Sequence, residues 1–98
     1  MDEIQIHFGN NSELAEFEAI NKGYRLDVYV IISESTYNLS VYSLMRLQQD
    51  FESEYESYGY YYPDANIILV KNTNKSEIIN TIKKLFVNGF FETIKPSE

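Results

Sequence analysis

Carboxylates and phenols are the side chains of this chain that cluster densely enough to do chemistry. Asp50, Glu52, Glu54 and Glu56 alternate along DFESEYESYGYYYPD, interleaved with Tyr55, Tyr58, Tyr60, Tyr61, Tyr62 and Asp64, and no basic residue falls among them. Alternating acids are what a calcium loop uses, but its sixth position takes glycine for a sharp turn and here holds Tyr55. On a helix the same acids form i,i+4 pairs, Asp50 with Glu54 and Glu52 with Glu56, each destabilising by about 0.2–0.5 kcal/mol. Either that repulsion is kept because the charge is used, or it belongs to a solvated face where salt screens it. Tyrosine offers rigid amphipathic contact area and glutamate a solvated charge, a mixture suited to meeting a basic macromolecule. The candidate partner-binding residues are therefore Glu52, Glu54, Glu56, Tyr60, Tyr61, Tyr62 and Asp64, the acids steering and the tyrosines anchoring. The competing reading makes the tyrosines a lid over the end of the core.

Other chemistries find little footing. His7 is the only histidine, and it falls on the polar face of a predicted strand, so a general base or metal site would rest on one exposed imidazole. Cysteine is absent, which removes disulfides, thiolate nucleophiles and cysteine metal ligands. No serine carries a nucleophile-elbow pattern, and there is no glycine-rich phosphate loop, no paired ligand spacing and no cationic amphipathic helix. The expectation is a binding protein and not an enzyme, with no cofactor and no metal.

Charge narrows the choice of partner. Residues 1–64 carry 12 acids against 3 bases and residues 65–98 carry 3 acids against 5 bases, which gives the net −7. An acidic field of that kind repels nucleic acid and anionic membranes and speeds the association of basic proteins, or it serves solubility alone. The amino terminus MDEIQIHFGNN lacks a basic-then-apolar signal pattern, and no apolar run approaches the roughly 20 residues that span a bilayer. A cytoplasmic protein is expected.

These residues have to be positioned by one α+β domain over residues 1–98, since 98 residues with 44% hydrophobic content can bury a single core. Ile4, Ile6 and Phe8 alternate as a strand over residues 3–8. A short helix follows Ser12, with Leu14, Phe17 and Ile20 at helical spacing and Gly23 as its stop. From Tyr24 to Ser33, Leu26, Val28, Val30 and Ile32 form one strand face and Arg25, Asp27, Tyr29 and Ile31 the other. The SEST turn then leads into Tyr37, Leu39 and Val41, so the two runs pair as an antiparallel hairpin. Ser43 caps a helix whose stripe of Leu44, Leu47, Phe51, Tyr55 and Tyr58 should pack on the sheet before Gly59 ends it. After an aromatic loop around Pro63, the apolar run from Asn66 to Lys71 reads as an interior strand covered on both faces. Asn74 and Glu77 form a capping-box spacing for a helix with Ile78, Ile82, Leu85 and Phe86 inward, closed by Gly89, and Phe90 to Lys95 can add a short last strand. The expected fold is thus a four- to five-stranded, mainly antiparallel sheet with two main helices packed on one face.

The run YRLDVYVIISESTYNLSVYSLMRLQQDFESE followed by NIILVKNTNKSEIINTIKKLFVNGFF resembles small immunity proteins of bacterial polymorphic and contact-dependent toxin systems. Tyr42 to Leu47, Asn66 to Val70 and Phe90 to Phe91 stand where those families place an aromatic-leucine helix start, a hydrophobic strand and a terminal aromatic pair. The resemblance implies a cytoplasmic protein that binds a cognate toxin domain and blocks its active site or substrate groove. It carries over no catalytic or cofactor residue. Two further classes stay open, an acidic nucleic-acid mimic that inhibits a DNA-acting enzyme and a homo-oligomeric module such as a homodimer.

Overall fold

The computed structural model describes residues 4–61 and 66–96. Its centre is the expected hairpin: β2 (Tyr24–Ile32) and β3 (Ser35–Ser43) pair antiparallel through a two-residue turn whose Ser33 takes a left-handed φ of 50°. On the outer side of β2, β1 (Ile4–Phe8) pairs antiparallel, with Phe8 opposite Val28. On the outer side of β3, β4 (Ile67–Val70) pairs in parallel, so the sheet runs β1-β2-β3-β4. The fold is α+β with a four-stranded mixed sheet, where a mainly antiparallel sheet was expected. The β3–β4 connection explains the difference: it carries a whole helix, long enough to return the chain to the end of the sheet where β3 began.

The described residues also form three α-helices: α1 (Glu13–Lys22), α2 (Leu44–Tyr58) and α3 (Lys75–Val87). Asn74 caps α3 by accepting from the Glu77 amide at 2.8 Å, while its own amide turns to Asn72 Oδ1 at 3.0 Å, where a reciprocal capping box would have used the Glu77 side chain. This helix lays Ile78 and Ile82 on one face of the sheet, against Phe8, Val28, Val30, Tyr37, Leu39, Val41, Ile68 and Val70, and Leu85 and Phe86 pack at the border. That is the hydrophobic core.

Four expectations about the elements fail for identifiable reasons. The register of β2 shifts between Arg25 and Val28, a bulge that places Arg25 on the core face and leaves Leu26 exposed, the reverse of the alternation read from the sequence. Strand β4 is an edge strand with Leu69 exposed, because the continuous apolar run spends only Ile68 and Val70 on the core. In place of a last strand, the αL residue Gly89 turns the chain into a 3-10 helix, Phe90–Glu92, which drives Phe91 back onto Tyr37 with ring centroids 5.1 Å apart. Finally, only α3 of the two long helices lies on the core face. The first turn of α2 meets Tyr24, which is paired with Tyr42 on the opposite face, and no residue of α2 is buried.

Candidate protein-binding site

Helix α2 begins where three elements are fastened together. Ser43 Oγ accepts from the Arg46 amide at 3.2 Å, and the Ser43 amide donates to the Gly23 carbonyl at 2.8 Å. Arg46 then donates to Asp50 at 3.0 Å and to the Lys22 carbonyl at 3.2 Å, with its guanidinium 4.8 Å from the centre of the Tyr24 ring. Beyond this first turn every residue of the helix is half-buried or exposed. Phe51, Tyr55 and Tyr58, expected in the core, are 48%, 56% and 70% exposed, and Phe51 and Tyr55 stack on one another with centroids 5.6 Å apart.

At about 3.6 residues per turn, these rings share one side of α2, with Glu52 on one flank and Glu54 on the other. Glu52 and Glu56 are exposed and Glu54 is half-buried. Gly59, at φ 80°, ends the helix and turns the chain back along it. Tyr60 is exposed, whereas Tyr61 returns to α2 and lines two shallow hollows. One, of about 560 Å³, is shared with Leu47, Gln48, Phe51 and Glu52, and a smaller one with Glu54, Tyr58 and Tyr60. Five of the seven sequence-predicted contact residues thus lie on α2 or its exit, while Tyr62 and Asp64 fall outside the described residues. Sequence reasoning placed Phe51, Tyr55 and Tyr58 inside, yet a signal for their exposure was present: Glu54 stands three residues from Phe51 and four from Tyr58, so packing that stripe on a sheet would bury a carboxylate.

A second polar cluster surrounds Arg25, next to Tyr24 at the start of β2. Arg25 is buried, with its guanidinium 4.5 Å from the centre of the Phe8 ring. Its Nε donates to Asp27 at 2.8 Å and Nη2 donates to the Asn10 carbonyl, while Nη1 makes no hydrogen bond and faces Glu16 at 3.8 Å. Burial opposes ionisation of Asp27, but the hydrogen bond from Arg25 and that from the Asn10 amide outweigh it and hold its pKa below the usual carboxylate value. Glu16 also accepts from the Lys75 amide at 3.2 Å, so the cluster ties α1, β2 and the start of α3 together. Apart from Arg25 Nη1, which has only its ion pair with Glu16, these groups hydrogen-bond within the cluster, which makes it structural.

His7 is exposed beside Gln5, 3.3 Å away. Among the described residues, no group of three or more His, Asp and Glu side chains converges as a metal ion requires, and no helix is long and apolar enough to cross a membrane. No protein-family model, curated protein or solved structure matches this chain.

Proposed function

We propose that this protein is a stoichiometric binder of a basic protein, of the kind that neutralises a cognate bacterial toxin in the cytoplasm, and that α2 with its exit segment is the binding element. The observation that carries this reading is a fifteen-residue helix with none of its residues buried and an aromatic stripe flanked by carboxylates. A stripe of Phe51, Tyr55 and Tyr58 costs solvation in the free protein and gains it back only against another surface. Glu52, Glu54 and Glu56 specify the sign of that surface: Lys and Arg around an apolar depression would accept the rings and pair with the acids. Binding of this sort blocks a groove and needs no catalytic group.

The test is capture from the source cells at low and high salt, with wild type and the triple variant E52K/E54K/E56K, followed by binding kinetics on the purified partner. One basic protein should be held one to one, released by salt, and associate at least about 10-fold more slowly with the triple variant. Equal affinity of wild type and triple variant for the captured protein would sink the reading, as would a captured partner that is acidic.

A further inference from the structure

We propose that the outward face of α1, continued by Leu44, Met45 and Leu69, is an interface between two copies of this chain. Helix α1 is mounted against its own amphipathicity. Ala19 is its one buried residue, while Leu14, Phe17 and Ile20, which share one side of the helix, are 65%, 63% and 43% exposed. Polar ties fix that orientation. Ser12 Oγ caps the helix by accepting from the Ala15 amide at 3.1 Å, the buried Thr73 hydroxyl donates to the Ala19 carbonyl at 2.6 Å, and Glu16 is held by the Lys75 amide and Arg25. Rolling α1 over to bury Leu14 and Phe17 would break these bonds and take the Glu16 carboxylate away from the buried Arg25, so the network holds the apolar face outward.

The surface extends beyond the helix. Ile20, Leu44, Met45 and Leu69 share the wall of one open hollow of about 530 Å³, and Phe17 and Leu14 continue from Ile20 along α1. The exposed parts of these six side chains amount to roughly 700 Å², close to the roughly 800 Å² per partner of a standard interface. Charge then selects the occupant. The border carries both signs, Glu13 and Glu18 with Lys22 on α1 and Lys71 with Glu77 around the hollow, so a two-fold axis can set acid against base. The outer half of α2, bearing Glu52, Glu54 and Glu56 without a basic residue, would repel its own copy.

Sedimentation equilibrium of the whole chain over a wide concentration range tests this, on wild type, Phe17→Glu and Tyr58→Ser, with circular dichroism to check that each variant folds. The wild type and Tyr58→Ser should reach a dimer at micromolar concentration, and Phe17→Glu should raise the dissociation constant at least 100-fold. Because each copy carries a net −7, salt should tighten the dimer, the opposite of its effect on a basic partner. A wild type that stays monomeric, a folded Phe17→Glu that still dimerises, or a dimer lost in Tyr58→Ser would each overturn the proposal. None of these outcomes depends on whether α2 binds a basic protein.

Discussion

Arg25 keeps its charge at 4% exposure through Asp27, Glu16, the Asn10 carbonyl and the face of Phe8. A guanidinium does not deprotonate, so its burial is sustained only while those partners are present and ionised. Arg25→Met keeps most of the volume but strands two carboxylates against one another. It should cost about 2–3 kcal/mol in urea unfolding, below the ~3–5 kcal/mol of a fully buried pair because water reaches Asp27 and Glu16. The pH dependence follows from Asp27. Its folded pKa lies below the unfolded value of about 3.9, so the unfolded chain binds more protons in between, and the stability it contributes is complete above pH ~4 and lost as pH falls through the folded pKa. Asp27→Asn should therefore be less stable than wild type at neutral pH, with the gap closing in acid. A gap that stayed constant as the pH was lowered into acid would show that the charge of Asp27 is not what the fold uses.

Two glycines end helices with nearly the same backbone and opposite surroundings, which separates conformational strain from packing at the scale of the element. Gly23 at φ 77° closes α1, and a Cβ there would lie 2.8 Å from Ser43 Oγ and 3.0 Å from Arg46 Cβ, the two residues that start α2. Gly59 at φ 80° closes α2 with nothing within 4 Å of its would-be Cβ. Gly59→Ala should cost about 1 kcal/mol, the left-handed penalty alone. Gly23→Ala should cost at least about 2 kcal/mol, because it also displaces the α2 cap, worth roughly 1 kcal/mol by itself. Equal losses in thermal unfolding would mean that the Ser43 cap yields freely. Both glycines were legible in the sequence as helix stops, as were the hairpin and α3, because periodicity and caps are local signals. What was not legible is where a periodic face points. The alternation through β2 cannot reveal the bulge that exchanges Arg25 for Leu26, and the i,i+3 spacing of Leu14, Phe17 and Ile20 groups them without saying that Glu16 and Ala19 are what the body holds. For the candidate site, composition located Glu52, Glu54, Glu56, Tyr60 and Tyr61, while the rings of Phe51, Tyr55 and Tyr58 were assigned inward because their three-and-four spacing was weighed without the Glu54 carboxylate that shares their side of the helix.

Taken as a whole, the molecule concentrates its burial in β2, β3 and α3 and leaves α2 to stand on its first turn. Leu39, Val28, Val30, Ile78 and Ile82 are buried to within 1% of complete, whereas α2 supplies no buried residue. An isolated helix of about 12–15 residues is marginal in water, so beyond Asp50 the helix relies on intrinsic propensity, the Phe51–Tyr55 stack and the return of Tyr61. Native-state hydrogen exchange should show this as two tiers: amides of β2, β3 and α3 exchanging near the global unfolding free energy, and amides of Glu52 to Tyr58 exchanging through a local opening several kcal/mol easier. Mutations should follow the same division, with Ile78→Ala costing about 2–5 kcal/mol and Tyr58→Ala no more than about 0.5 kcal/mol. Uniform protection, or a Tyr58→Ala loss comparable to that of Ile78→Ala, would mean that the α2 stripe is covered in solution by its own sheet. With the two tiers in place, a partner that closes on the stripe has a frayed helix to order as well as a surface to bury. Its binding would then raise protection at Glu52 to Tyr58 and leave the core amides unchanged, which locates the contact without a structure of the complex.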